Sequence, residues 1–184
     1  MTDPSHASLP DLVRDGLDVI FIGINPSVYS AEQGHYFARK TNRFWPAFSA
    51  SILSAPIRRA LGRDRLNPAD DSTLLDHGIG FTDCVKRATA RADEVSAAEF
   101  AAGAVALMAK LERFQPRIAC FQGLTGYRPF LRTIAPEAAK PEQGEQPMRV
   151  GQTRLFVIPN PSPANAHESR QTQTDWYDRL AAAL

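Results

Sequence analysis

Sulfur is scarce in this chain: two cysteines in 184 residues. Cys84 and Cys120 both stand in apolar, strand-like surroundings, so buried and reduced thiols are expected rather than a disulfide framework. No close group of Cys and His residues exists, which argues against a zinc site. His35, His77 and His167 do not have metal-ligand spacing either. Long apolar runs are also missing, and none approaches the roughly 20 residues that span a bilayer. Residues 1–10 are polar and lack the basic and apolar regions of a secretory signal, so a cytoplasmic location is expected. Net charge is nearly absent, at +1, and gives no global field that points to a nucleic-acid partner. There is no dinucleotide fingerprint, no P-loop, no internal repeat and no domain linker. Neither a metal nor an organic cofactor is expected.

What is present is an ordinary globular composition, 43% hydrophobic, in a length that suits one domain. Residues 1–12 read as a flexible tail and residues 13–184 as a single domain. Short apolar runs at 17–22, 78–83, 117–121 and 154–158 read as strands. Between them lie helical patterns. Phe44, Phe48 and Ile52 recur at helical spacing. Ser96-Ala97-Ala98-Glu99 is a capping box that opens an Ala-rich helix ending before Pro116. Residues 123–133 read as helical, at least from Tyr127, despite Pro129. Trp176, Leu180 and Leu184 mark an amphipathic C-terminal helix. Residues 27–42 read as a long loop, and residues 136–146 as a surface loop. Residues 148–158 suggest a tight turn at Gly151 before the last strand. Strands alternating with helices predict a three-layer α/β/α sandwich around a mostly parallel sheet.

Two strands end in the same chemistry. Gly23-Ile24-Asn25-Pro26-Ser27 follows the first apolar run, and Asn160-Pro161-Ser162-Pro163-Ala164-Asn165 follows the last. In an open α/β sheet, ligands sit outside the carboxyl ends of the strands. Both Asn-Pro-Ser loops are therefore expected at one cleft. Local basic groups add to this: Arg39, Lys40 and Arg43; Arg58, Arg59, Arg63 and Arg65; and Lys86, Arg87 and Arg91. A basic face can hold phosphates despite a neutral total.

Four segments in order, Gly23-Ile24-Asn25-Pro26, Asn42-Arg43-Phe44-Trp45, Glu94-Val95-Ser96 and Asn160-Pro161-Ser162, resemble the uracil-DNA glycosylase superfamily. They are most similar to its mismatch-specific uracil-DNA glycosylase and thymine-DNA glycosylase branch. The resemblance implies hydrolysis of the N-glycosidic bond of uracil flipped out of double-stranded DNA, preferentially at G:U mismatches. It implies a monofunctional, monomeric enzyme that leaves an abasic site. By the same resemblance Asn25 positions the attacking water, Phe37 stacks on the flipped base, and Ser30 lies near the base's polar edge. Ile24 and Asn160 help shape the base pocket. Ser162, Pro163, Ala164 and Asn165 enter the duplex or bind its backbone, and Lys86 and Arg87 hold phosphates.

The chain departs from that branch at three places. Pro163 and Ala164 stand where the branch has a Gly and a bulky apolar wedge, so weaker wedging is expected. Ser27 replaces a Gly. Asp93 stands where an uncharged residue is usual, on a loop that also carries Glu94 and follows Asp83 at a strand end. A carboxylate near the sugar would activate water or stabilise a cationic transition state, which makes Asp93 a second catalytic candidate. Two other functions stay open on the sequence: a broad-specificity, single-strand-tolerant uracil glycosylase, and a non-catalytic damaged-DNA-binding member of the fold.

Overall fold

A computed structural model describes residues 8–184. Its elements run β1 (Val19–Gly23), α1 (Val28–Gln33), α2 (Phe44–Ala50), α3 (Ala55–Leu61), β2 (Ile79–Asp83), α4 (Ala97–Phe114) and β3 (Ile118–Gln122). Then follow α5 (Leu124–Ile134), β4 (Gly144–Val150), β5 (Thr153–Ile158) and α6 (Arg170–Ala183). The strands form one sheet in the order β2-β1-β3-β5-β4. All neighbours are parallel except β4, which runs antiparallel to β5. This is the α/β/α sandwich that the alternation of strands and helices predicts.

The central strands are apolar at nearly every position because helices cover both faces. In β1, Val19 and Phe21 face one layer while Ile20 and Ile22 face the other. The first layer is aromatic. Phe21 meets Phe44 at 5.2 Å and Tyr177 at 5.8 Å, both edge-on, which locks α2 and α6 against the sheet. The second layer is Ala104, Leu107 and Leu111 of α4 with Tyr127 and Phe130 of α5. The Ser96 capping box forms as the sequence indicates: Ser96 Oγ accepts from the Glu99 N–H, and Glu99 accepts from the Ser96 N–H. Cys84 and Cys120 are buried free thiols.

Three boundaries differ from expectation. Leu9 is 2% exposed and Leu12 pairs with Phe81 across an antiparallel bridge, so the chain expected to be a tail over 1–12 is packed from Leu9 on. Residues 1–7 lie outside the described residues. The 27–42 loop contains α1, which Ser27 caps by accepting from the Ser30 N–H and Gly34 ends in a left-handed turn. That helix has a single turn and no apolar stripe, so periodicity does not reveal it. Strand β4 begins at Gly144, inside the expected surface loop, whereas α5 fills the expected helical stretch from Leu124 on.

Candidate active site

The cleft opens where the theory of parallel sheets puts it, at the carboxyl ends of β1, β3 and β5. Its volume is about 760 Å³. Both Asn-Pro-Ser loops line it: Ile24, Asn25 and Ser27 from one, and Asn160, Ser162, Pro163, Ala164 and Asn165 from the other.

Asn25 is oriented by its neighbours. Its Nδ2 donates to the Arg87 carbonyl at 2.9 Å and to Thr89 Oγ1 at 2.8 Å. The Thr89 hydroxyl in turn donates to the Arg91 carbonyl at 2.7 Å, so it can only accept from Asn25. Both partners therefore demand the amide nitrogen, and the other orientation would set Oδ1 against a carbonyl oxygen. Oδ1 is left as the free acceptor of a cleft residue. The segment carrying these partners is zipped to the first motif: Thr89 N–H donates to the Pro26 carbonyl at 3.1 Å and Val28 N–H to the Thr89 carbonyl at 3.2 Å. Thr89 is a site residue that sequence reasoning missed. A Thr in a polar, irregular loop carries no local signal of its partner 64 positions away.

Phe37 has an uncommon backbone state, with φ at 52°. A non-Gly residue held there signals constraint from its surroundings. The ring is stacked on Phe44 at 4.5 Å and 17°, and the residue also lines the cleft. One face is thus fixed on the core and a flat apolar surface is presented to the cavity. Ser30 is buried and spends its hydroxyl on the chain itself, accepting from the Ala38 N–H at 3.1 Å. It borders the cleft but serves first to shape the loop that carries Phe37. Ile24 is 8% exposed and its carbonyl accepts from the Val85 N–H, so its backbone forms part of the cleft wall.

The second loop is held by an arginine from the Asn42-Arg43-Phe44-Trp45 segment. Arg43 Nη2 donates to the Ser162 carbonyl at 2.8 Å and the Asn165 carbonyl at 2.6 Å, and its backbone N–H reaches the Pro161 carbonyl. Asn160 Oδ1 accepts from the Ser162 N–H at 2.9 Å, and Asn165 Nδ2 donates to the Asn160 carbonyl. Asn160 and Asn165 thus build the loop, while Pro163 and Ala164 are its exposed tip. Gly123, at φ 115°, lets the β3–α5 turn pass against this loop; a Cβ there would lie 3.0 Å from that of Asn160.

Other predicted residues are occupied elsewhere. Asp93 lines the cleft, but its carboxylate is ion-paired with Arg91 and largely exposed. The Arg91 hydrogen bond holds its pKa below the usual carboxylate range. Arg87 is engaged by Glu99 at 2.6 and 3.0 Å, and Lys86 by Asp11 at 2.8 Å. Neither Lys86 nor Arg87 borders the cleft, so the phosphate-holding role expected of them meets a structural obstacle: both cations already have anions. Arg39 and Arg91 border the cleft instead. His35 bonds Asp71 outside the cleft.

Two buried polar groups on the cleft floor remain unsatisfied. Asp83, 5% exposed at the end of β2, has no hydrogen-bond partner for Oδ2, and Lys86 Nζ stands off at 3.8 Å. Burial, reinforced by Asp11 and opposed by Lys86 and Lys110, pushes its carboxyl up to about 7. Gln122, 2% exposed at the end of β3, lacks partners at both Nε2 and Oε1. Asp83 is visible in the sequence as a strand-end acid; Gln122 is not singled out there, because an amide closing an apolar strand has no motif.

Comparison with known proteins bears on the fold and the family. The described fold resembles the solution NMR structure of a Methanosarcina acetivorans protein described as a candidate uracil DNA glycosylase. The TM-score is 0.56 at 19% sequence identity, covering 95% of this chain and 97% of that one. A family model described as the Uracil DNA glycosylase superfamily matches residues 10–184, nearly the whole chain including both Asn-Pro-Ser loops. On that match, the chain belongs to the uracil DNA glycosylase superfamily.

Proposed function

We propose that the protein hydrolyses the N-glycosidic bond of uracil in DNA, with Asn25 orienting the attacking water and Phe37 supporting the extruded base. The observation that carries this reading is the Asn25 amide, whose nitrogen is pinned by Arg87 and Thr89 so that its oxygen is the acceptor in the cleft. An amide is too weak a base to take a proton from water. It suits a path in which the bond to the base breaks early and the water needs orientation more than deprotonation. Negative charge then develops on the base and positive charge on the sugar. Phe37 offers a stacking surface of the kind that stabilises a base taken out of the helix.

The finer reading is a monofunctional, monomeric, cytoplasmic enzyme, nucleoid-associated when bound to DNA, that acts preferentially on G:U mismatches in duplex DNA and leaves an abasic site. One observation favours a second reading. The exposed tip of the second loop is Pro163-Ala164, and a methyl group fills the gap left in a base stack poorly. Tolerance of U:A pairs and of single strands follows from that.

Single-turnover excision by the native chain, Asn25→Ala and Asp93→Ala on matched U:G, U:A and single-stranded oligonucleotides separates these. The expected result is near-complete loss in Asn25→Ala and only a small loss in Asp93→Ala, whose exposed carboxylate is paired with Arg91. A dead Asp93→Ala with an active Asn25→Ala would reverse the assigned roles. No excision by the native chain on any of the three would remove the enzyme reading in favour of damaged-DNA binding.

A further inference from the structure

A nucleotide seated in the cleft stays covalently joined to its neighbours, so the strand has to leave the cleft across the protein surface. Among the described residues, a second depression opens directly from it. This trough, of about 520 Å³, shares Leu124 and Gln143 with the cleft. Its two walls lead away from that common mouth. On one wall α5 carries Leu124 and, one turn further on, Arg128; four helical residues advance about 6 Å. On the other wall the chain runs back from Gln143 through Glu142 to Lys140, and Trp176 of α6 completes the lining.

The cations of the trough are free. Arg128 and Lys140 are exposed, and among the described residues neither has a carboxylate within ion-pair distance. Lys86 and Arg87, by contrast, are each held by an acid. Glu142 is the acid among the lining residues, and it is exposed. The aromatic wall is fixed. Arg179 lies over the Trp176 ring, 4.6 Å from its centre, and adds a further positive charge, while Phe156 meets the ring edge-on at 6.5 Å. The wall that carries Lys140 is fixed as well. Gln146, which is buried, donates through Nε2 to the Glu142 carbonyl at 2.7 Å and to the Gly144 carbonyl at 2.9 Å.

We propose that this trough is a subsite for the unpaired strand that flanks the extruded nucleotide, with Arg128 and Lys140 holding its phosphates and Trp176 offering a surface to a neighbouring base. The proposal rests on the glycosylase reading above, which seats a DNA nucleotide in the cleft. Cations beside an aromatic ring bind single strands without reading sequence, since every nucleotide has a phosphate and every base a flat face. A duplex keeps its bases stacked inward and has none to offer Trp176. The Pro163-Ala164 tip fills a base stack poorly, so the affinity that a flanking strand adds in the trough offsets what that loop does not supply. The trough therefore favours uracil in single-stranded DNA over uracil in a duplex.

The test is binding and single-turnover excision on single-stranded oligonucleotides that hold one uracil and are lengthened on one side at a time. The proteins are the native chain, the double variant Arg128→Ala/Lys140→Ala, and Trp176→Phe. The native chain is expected to gain roughly 10–100-fold in affinity as one flank is lengthened, and little from the other. The double variant is expected to lose most of that gain, and its slope of log K against log salt to be shallower by about 1.4, from two phosphates at about 0.7 each. On an oligonucleotide too short to leave the cleft, its excision rate at saturating enzyme should stay within about twofold of native, since neither side chain borders the cleft. Lengthening the favoured flank should quench tryptophan emission in the native chain and not in Trp176→Phe, because the other tryptophan, Trp45, is buried in the aromatic core. Native affinity that ignores both flanks, or a double variant with the native flank gain and salt slope, overturns the proposal. Emission that ignores the flank overturns it too, as does a loss in the double variant that appears with duplexes and not with single strands. Flank-dependent binding without excision by the native chain supports the trough and fails the glycosylase reading. Excision without flank dependence fails this inference alone.

Discussion

Replacing Thr89 by Val tests whether the water-orienting amide works because it is held. The two side chains are nearly the same size, and Thr89 is buried at 4% exposure, so packing is preserved. What is lost is chemistry: the acceptor for Asn25 Nδ2 at 2.8 Å and the donor to the Arg91 carbonyl at 2.7 Å. Asn25 keeps only its bond to the Arg87 carbonyl, about which its amide can swing. One lost hydrogen bond and one carbonyl left short amount to about 1–3 kcal/mol. If that shortfall falls on the transition state, single-turnover excision drops roughly 5–100-fold, in line with the cost of an ångström of misplacement. DNA affinity is expected to stay within about twofold, because both hydrogen bonds of the Thr89 hydroxyl are made within the chain. Thr89→Ser restores the hydroxyl and is expected to recover most of the rate. The assay is excision from a U:G duplex with enzyme in excess, beside a binding titration on an uncleavable analogue. A Thr89→Val enzyme within twofold of native, or a Thr89→Ser variant as slow as Thr89→Val, would refute the claim that this hydroxyl orients Asn25.

Three further outcomes follow from the same geometry. Phe37→Ala removes the ring stacked on Phe44 at 4.5 Å and should weaken capture of the extruded base by about 1–3 kcal/mol, read as a Kd for uracil-containing DNA that rises toward the unchanged Kd for undamaged DNA of equal length. Arg43→Lys replaces the guanidinium whose Nη2 reaches two carbonyls by a shorter side chain, so the Ser162–Asn165 loop should loosen; hydrogen exchange confined to that loop and a fall in DNA affinity are the expected readouts. The third concerns stability. Burial raises the folded-state pKa of Asp83 from 3.8 to about 7, so the folded protein binds the extra proton between those values. Its contribution is therefore present at low pH and lost as pH rises through about 7. Asp83→Asn should raise the thermal midpoint at about pH 8 and much less at about pH 5, at roughly 2–4 °C per kcal/mol for a chain of this size; an equal shift at both would contradict a buried ionising group.

The sandwich was legible because burial leaves a periodic trace. Runs such as Val19–Gly23 and Ile118–Gln122 are apolar at almost every position since both their faces are covered, and Ser96 with Glu99 announces the start of α4 by local hydrogen bonding alone. The two Asn-Pro-Ser loops could be assigned to one cleft because parallel strands end on the same side. Elements that bury little left no such trace. Helix α1 has one turn and a buried serine, and Leu9 and Leu12 pack through contacts with distant strands, so none of them follows from its neighbours in sequence.

Within the site, sequence by itself determined which residue types stand at the strand ends and on the loops that follow them: Asn25, Phe37, Asn160 and the acids Asp83 and Asp93. Tertiary structure decided what each is free to do. Arg91 neutralises Asp93, Glu99 and Asp11 occupy Arg87 and Lys86, and Ser30 is committed to its own loop. Thr89 and Arg43 acquire their roles only when the chain brings them to Asn25 and to the Ser162 loop. Asp83 and Gln122 are marked by what they lack, a partner, and that is a property of the packed molecule. The physical reason is the same in each case. Hydrophobic periodicity is a short-range code that any window of sequence displays, whereas charge pairing, hydrogen-bond direction and desolvation are set by atoms within a few ångströms, whichever part of the chain supplies them.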